Sequence, residues 1–256
     1  MPLPKIATPT YELVLPSSDR KIKYRPFLVK EEKILIIAME SEDNKQITTA
    51  ITSVINNCIL TRGIKVDKLS TFDIEYLFLN IRGKSVGENV EVLITCPDDD
   101  ETQVPVIIPL DEIKIQKNPE HNKDIKLYEN LVMRMRYPSL SEFVKNNFDL
   151  EGGIGVEESF DLIISCIDQI YNEEESWTSA DCTKKEMTEF LDQLSSKQFK
   201  EIEKFFDTMP KLTHTIKVVN PKTKVKNEVV LEGLSSFFEY VWLTQVWSHT
   251  IKSISP

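Results

Sequence analysis

The chain is poor in glycine and histidine and has no long apolar run. Only 7 glycines occur among 256 residues, which leaves little material for glycine-rich loops that bind phosphate groups. The 3 histidines give acid–base and metal chemistry few carriers. No stretch approaches the roughly 18 uninterrupted apolar residues that a membrane-spanning helix needs. The sequence therefore favours neither a nucleotide-binding protein nor a membrane-spanning one.

The chain also has fewer positively than negatively charged side chains. Lys and Arg total 31 against 41 Asp and Glu, a formal net charge of −10. Such a field repels the phosphates of nucleic acids and the anionic surface of a membrane, so we expect neither as a partner. Hydrophobic residues make up 41% of the chain, which is enough for one or two ordinary cores.

Cysteine chemistry is limited to four scattered residues, Cys58, Cys96, Cys166 and Cys182. None lies in a C-x-x-C pair or at zinc spacing from a histidine, which indicates a reducing, cytoplasmic setting. The serine-hydrolase elbow, the phosphate-binding Walker loop and the H-E-x-x-H pattern are all missing. We therefore predict no catalytic residue, no metal site and no cofactor.

The acidic run from Asp98 to Glu101 has two interpretations. Clustered carboxylates can hold a divalent cation, but the alternating spacing of a calcium loop is missing. Because Asp is a common turn residue, we favour a solvated hairpin turn.

The first half of the chain mixes strand and helix patterns. Residues 10–27 alternate as a hairpin, Val29–Glu42 and Asn44–Leu60 read as helices, and a capped helix runs from Ser70 to Gly83. The second half of the first helix is apolar on every side, which predicts that it is buried. Further strands follow at 90–96, 104–108, 111–115 and 131–137. We therefore predict an α+β domain over residues 1–137.

The rest of the chain changes character twice. Residues 138–209 predict a helical subdomain, with a glycine-rich break at 152–155 and one apolar stripe from Phe160 to Ile170. Residues 210–256 predict a β-hairpin over 212–231 and a last helix from about 234 to 251. The overall prediction is an α+β fold: N-terminal hairpins and helices, a helical middle insertion, and a C-terminal β-hairpin plus helix.

Three of these helices, at 34–41, at 72–82 and at the end of the chain, carry apolar side chains over most of their circumference. Such a helix is either a core helix of its own domain or half buried in a partner, where aromatic anchors concentrate binding energy. The second interpretation predicts interface regions at 31–33, 72–82 and 237–247. The named interface residues lie on the third helix and on the last one: Phe72, Tyr76, Leu79, Phe238, Tyr240, Trp242 and Trp247.

Two segments resemble a known family. They are Lys23–Lys33, with the sequence KYRPFLVKEEK, and Thr71–Glu88, with the sequence TFDIEYLFLNIRGKSVGE. Both are similar to the baseplate protein family of T4-type tailed bacteriophages, whose members are hub subunits or hub assembly factors. The likeness is clearest over about residues 8–140.

The resemblance implies a non-enzymatic role in building the contractile tail. The chain would act in the infected bacterial cytoplasm, through contacts with other phage tail and baseplate hub proteins, as an oligomer or hetero-complex. It would be either a resident subunit of the virion baseplate or a transient chaperone that leaves after assembly. Rivals from other classes are a hydrolase with a polar pocket and a DNA-contacting regulator with a basic face.

Overall fold

The computed structural model describes residues 6–41, 43–145 and 156–232, and it confirms a mixed α+β fold. In chain order its elements are β1 (Tyr11–Val14), β2 (Lys21–Tyr24), α1 (Val29–Glu40), α2 (Asn44–Cys58), a 3-10 turn (Val66–Lys68), α3 (Thr71–Val86), β3 (Asn89–Thr95), β4 (Gln103–Pro109), β5 (Lys114–Gln116), β6 (Asp124–Tyr128), β7 (Leu131–Met135), α4 (Leu140–Lys145), α5 (Val156–Cys166), β8 (Ile167–Tyr171), β9 (Ser176–Thr178), α6 (Lys184–Asp192), α7 (Ser196–Thr208), β10 (Lys211–Val219) and β11 (Lys226–Glu232). The strands form four small antiparallel sheets.

The described residues divide into two compact units that do not follow chain order. The first unit contains residues 6–66, 72–116 and 211–232, and the second contains residues 67–71 and the described part of 117–210. The predicted domain boundaries at residues 137 and 209 divide the chain into consecutive segments, and these boundaries stay a prediction.

The centre of the first unit is α3. Ten of its 16 residues are buried. Leu79 joins the apolar cluster of β3, β4, β10 and β11, and Asp73 accepts the backbone N–H of Ser17, which follows β1. The helix continues through Gly83, where we predicted its end, and stops at Val86. The chain turns instead at Gly87, whose φ of 139° favours glycine.

Two hairpins pack on one another in the same unit. Buried residues of β3 and β4 share one apolar cluster with buried residues of β10 and β11, and Leu79 of α3 joins it. β5 extends the second hairpin, giving the strand order β11-β10-β5. Alternation of buried and exposed positions along β3 fits a sheet with one face in the core.

The tips of these two hairpins are joined by one carboxylate. Asp98 accepts hydrogen bonds from Asn220 at 3.0 Å, from Asn227 at 2.7 Å and from the hydroxyl of Thr223. These bonds hold the pKa of Asp98 below its usual range. Asp99 turns inward and accepts from Thr102. The acidic run therefore forms a hairpin turn, and no cluster of metal-binding side chains occurs in the described residues.

The second unit is built on the sheet β6-β7-β8-β9. Helices α5, α6 and α7 pack on it through an apolar cluster that includes Met133, Cys166, Met187, Ile202 and Phe205. Capping boxes start α6 at Thr183 and α7 at Ser195.

One prediction in this unit is wrong. The apolar stripe from Phe160 to Ile170 is not one helix: α5 ends at Cys166, and Ile167 begins β8, which pairs with β7. Residues spaced three and four apart fit a helix, but the open edge of β7 recruits the last of them into the sheet. β6 lies in a stretch where no strand was predicted.

Two predicted features fall outside the described residues: the glycine-rich break at 152–155 and the last helix at 234–251. Among the helices that are described, none combines the length and apolar character needed to cross a bilayer.

We expect Asn227→Ala to lower the free energy of unfolding by about 1 to 3 kcal/mol, because it removes a buried amide that donates to Asp98. Urea denaturation measures the change. Lys226→Ala, on the exposed side of the same strand, is the matched control and should leave stability nearly unchanged. Equal stability of both variants would contradict a structural role for the joined tips.

Candidate protein-interaction site

An ion pair fixes the start of α1. The Glu31 side chain is fully buried, and Arg25 donates to it from Nη2 at 3.0 Å and from Nη1 at 3.4 Å. Glu31 also accepts the backbone N–H of Leu28, the residue before the helix, at 2.9 Å. Leu28 has no side-chain oxygen to cap the helix in return, so Glu31 supplies one half of a capping box and Arg25 neutralises it.

The pKa of Glu31 reflects two opposing effects, burial and hydrogen bonding. Burial alone would raise it, but the hydrogen bonds from Arg25 and from the Leu28 backbone outweigh burial and hold the pKa below its usual value. The carboxylate is therefore charged at neutral pH, and its stabilising effect is present there.

The second unit repeats this arrangement. Arg136 donates to Glu142, again six residues later, and Glu142 accepts the backbone N–H of Ser139 at 2.9 Å. Ser139 completes the capping box because its hydroxyl lies 3.4 Å from the Glu142 backbone N–H. Burial again acts to raise the pKa of Glu142, and the bonds from Arg136 and Ser139 lower it to about 2.

Each arginine is anchored in the same way at its backbone. The N–H of Arg25 donates to the carbonyl of Cys58 at 2.9 Å, and that of Arg136 donates to the carbonyl of Cys166 at 2.8 Å. Each cysteine is the last residue of a helix, α2 or α5. Burial raises the pKa of Cys58 to about 11 and that of Cys166 to about 12, so both thiols are protonated and unreactive at neutral pH.

With its start fixed, α1 turns several apolar side chains outward. The side chains of Val29, Ile37 and Ile34 are 79%, 56% and 37% exposed, and the preceding Leu28 is 42% exposed. We predicted that the apolar half of this helix is buried on all sides, and that is wrong. The buried residues of the helix are Glu31, Leu35 and Ala38, and Ile36 and Met39 are partly buried.

The exposed side of α1 carries both apolar and charged side chains. At 100° per residue, Val29, Glu40, Lys33, Ile37, Lys30 and Ile34 follow one another around an arc of the helix surface. All six are exposed. We call these six residues the α1 arc.

The predicted interface residues on α3 lie elsewhere. Phe72 and Leu79 are 2% and 3% exposed, and Tyr76 is half-buried against the apolar cluster of the two hairpins. An interface role for them stays a prediction, although most of their surface contacts their own unit. The predicted residues on the last helix, Phe238, Tyr240, Trp242 and Trp247, lie outside the described residues.

His121, one of the three histidines, has a structural environment. Its two ring nitrogens lie 3.0 Å from the Thr208 hydroxyl and 3.1 Å from the Tyr137 hydroxyl, and its ring packs against Phe205. Burial lowers the pKa of His121, with Lys123 contributing, so the ring is neutral near pH 7. His214 lies half-buried in β10.

An open groove of about 390 Å³ lies in the second unit. Phe160 and Phe199 stack at one side with ring centroids 5.3 Å apart, and the polar lining includes Ser196, Lys200 and Glu203. No histidine is among the described residues that line it, so Ser196 has no imidazole base there.

The interface prediction included residues 31–33, and Lys33 of that region belongs to the α1 arc. It did not name Val29, Ile34 or Ile37, because the apolar half of the first helix was predicted to be buried. One signal was available: the spacing of Arg25 and Glu31 recurs at Arg136 and Glu142, each time just before a helix.

The fold and the net charge define a class: an acidic α+β protein that exposes apolar side chains, some of them on one side of a helix. A family comparison is specific. The model of the T4 bacteriophage base plate protein family matches residues 8–239, and the chain belongs to this family. Comparisons with curated proteins and with solved structures give no match.

We expect Glu31→Gln to lower the free energy of unfolding by about 3 kcal/mol at pH 7, because it leaves Arg25 without its counter-charge. The folded pKa of Glu31 is depressed, so the stability it supplies is present at neutral pH and is lost as pH falls through that pKa. Urea denaturation from pH 7 to pH 3 should therefore show the variant and the parent converging at low pH. A gap that is constant across this range would contradict the ion pair as its source. Glu32→Gln, at the partly buried neighbouring position, is the control.

Proposed function

We propose that the chain is a baseplate hub protein that acts in assembly of the contractile tail through protein–protein contacts, without catalysing a reaction. The family supplies the setting, a phage baseplate in which proteins bind one another. The observation that carries the proposal is the exposed α1 arc, which begins within the segment Lys23–Lys33 that resembles the family and continues beyond it. A rigidly held helix with apolar side chains facing outward is typical of a docking surface.

The mechanism follows from surface burial. When a partner covers the arc, apolar side chains leave water and contribute about 25 cal/mol per Å² before the costs of association are subtracted. The Arg25–Glu31 ion pair fixes the start of the helix, so the partner does not have to order this surface as it binds. Assembly in the infected cytoplasm and the absence of nucleic acid or membrane partners follow from the same proposal and from the net charge of −10.

The proposal has two forms, which differ in whether the chain stays in the virion. Mass spectrometry of purified virions should find the chain at fixed stoichiometry if it is a resident hub subunit. Its absence from virions, together with failure of a deletion phage to assemble baseplates, would identify a transient chaperone. A deletion phage that assembles normal baseplates would overturn both forms. A hydrolase, the rival from another class, would instead have to turn over a substrate with no assembly defect on deletion.

The arc itself can be tested in infected cells. We expect Ile37→Asp to weaken partner binding by about tenfold or more and to reduce the yield of assembled baseplates, because a charge would be buried at an apolar contact. Complementation of a deletion phage measures the yield. Val230→Asp, at 57% exposure, matches the exposure of Ile37 and should complement fully. Normal complementation by Ile37→Asp would exclude the arc as the working surface.

A further inference from the structure

The chain enters the second unit after β5 and leaves it before β10. In the first unit these two strands are paired, with Gln116 at the end of β5 opposite Lys211 at the start of β10. In the second unit the entering segment is residues 117–123, and the chain leaves through the last turn of α7, which ends at Thr208.

An ion pair and a hydrogen bond join the entering segment to the end of α7. The carboxylate of Glu120 lies 3.4 Å from the ammonium group of Lys204, but both side chains are at least half exposed, so this pair contributes little. Nδ1 of His121 lies 3.0 Å from the Thr208 hydroxyl, and its ring packs on the buried Phe205 with the ring centroids 5.1 Å apart. His121 is therefore the stronger connection.

The Thr208 hydroxyl fixes the direction of the hydrogen bonds around His121. This hydroxyl has one proton, and the nearer acceptor is the backbone carbonyl of Lys204, at 2.6 Å. Thr208 then accepts from His121, which places the ring proton on Nδ1. Nε2 keeps its lone pair, so the Tyr137 hydroxyl, 3.1 Å away, donates to it. The neutral ring satisfies both of its nitrogens in this way.

Protonation breaks this arrangement at one atom. A proton on Nε2 turns an acceptor into a donor that faces the proton of the Tyr137 hydroxyl, so that hydrogen bond is lost. The charged ring would also be half-buried against Phe205. Lys123 adds a second positive charge nearby, with its ammonium group 4.2 Å from the centroid of the Tyr137 ring.

The surroundings give the charged ring little compensation. Burial, with Lys123 contributing, holds the pKa of His121 below its usual value. Arg136, which precedes Tyr137, is paired with Glu142. The other charged side chains on the entering segment and on the last two turns of α7 are exposed, and they are Lys117, Glu120, Glu201, Glu203, Lys204 and Asp207.

We propose that His121 is a pH-sensitive latch, which fastens the entering segment to the end of α7 and opens when Nε2 is protonated. The latch is closed at neutral pH, where the ring carries one proton. It opens as pH falls below about 6.5, the ordinary range of histidine, because the unfolded chain binds the proton more readily than the closed latch does. This inference does not depend on the proposed function.

NMR of the full chain with nitrogen-labelled histidine tests the closed latch. At pH 7.5 we expect the neutral His121 ring to carry its proton on Nδ1, and a proton on Nε2 would overturn the inference. Tyr137→Phe removes the donor to Nε2, so His121 should titrate at a higher pH in this variant. An unchanged titration would also overturn it. The signal that disappears in His121→Asn identifies His121 among the three histidines.

Hydrogen exchange read by mass spectrometry tests the opening. Peptides covering residues 117–123 and 204–210 should exchange about tenfold faster at pH 5 than at pH 7.5, after correction for intrinsic rates, as a difference of one pKa unit allows. His121→Asn keeps an amide donor near the position of Nδ1 and does not titrate, so both peptides should stay protected at both pH values. His214→Asn, at the half-buried histidine of β10, is the matched control and should keep the pH dependence.

Two exchange results contradict the latch. If the pH dependence survives in His121→Asn, another group is responsible for it. If peptides of α2 in the first unit accelerate equally, the chain loses stability as a whole and no local latch opens. Tyr137→Phe keeps its ring and removes one oxygen atom, so its titration decides the matter even if circular dichroism shows that His121→Asn does not fold.

Discussion

The structure depends on a carboxylate placed in the first turn of a helix and held by an arginine six residues earlier. The pair Arg25–Glu31 settles three things at once: where strand β2 ends, where α1 begins and how the chain meets the end of α2. A buried carboxylate is costly unless it is paired and fully hydrogen-bonded. Arg25 and the Leu28 backbone supply these partners, so the pair constrains where the helix begins.

The same solution occurs in both compact units. In each, a hairpin leads into the arginine, and the glutamate is the third residue of the helix that follows. A second helix ends at a buried cysteine whose carbonyl accepts the arginine N–H. The surroundings then differ: Ser139 caps α4 with its hydroxyl, whereas Leu28 has no such group to cap α1 and is itself exposed. One local design thus supports a closed capping box in the second unit and an outward-facing apolar helix in the first.

Periodicity predicted most elements because each has a clear pattern of its own. The hairpins β1–β2, β3–β4 and β10–β11 alternate, and α2, α6 and α7 carry apolar stripes. Partners distant in sequence decided the rest. Ile167 and Ile170 fit a helix until β7 offers an edge, and the burial of Glu31 depends on Arg25. The exposure of Ile34 and Ile37 could not be predicted, because composition shows where apolar side chains are and not how much of them the remaining chain can cover.

The pairing of β10 with both β5 and β11 has a consequence for synthesis. The core of the first unit includes Leu212 and Leu231, which the ribosome adds after the whole of the second unit has been made. While the second unit emerges, the inner face of β3–β4 lacks the part of its cover that β10 and β11 supply, and it is a nascent surface open to aggregation. A polypeptide cut short before residue 211 would leave that part permanently uncovered.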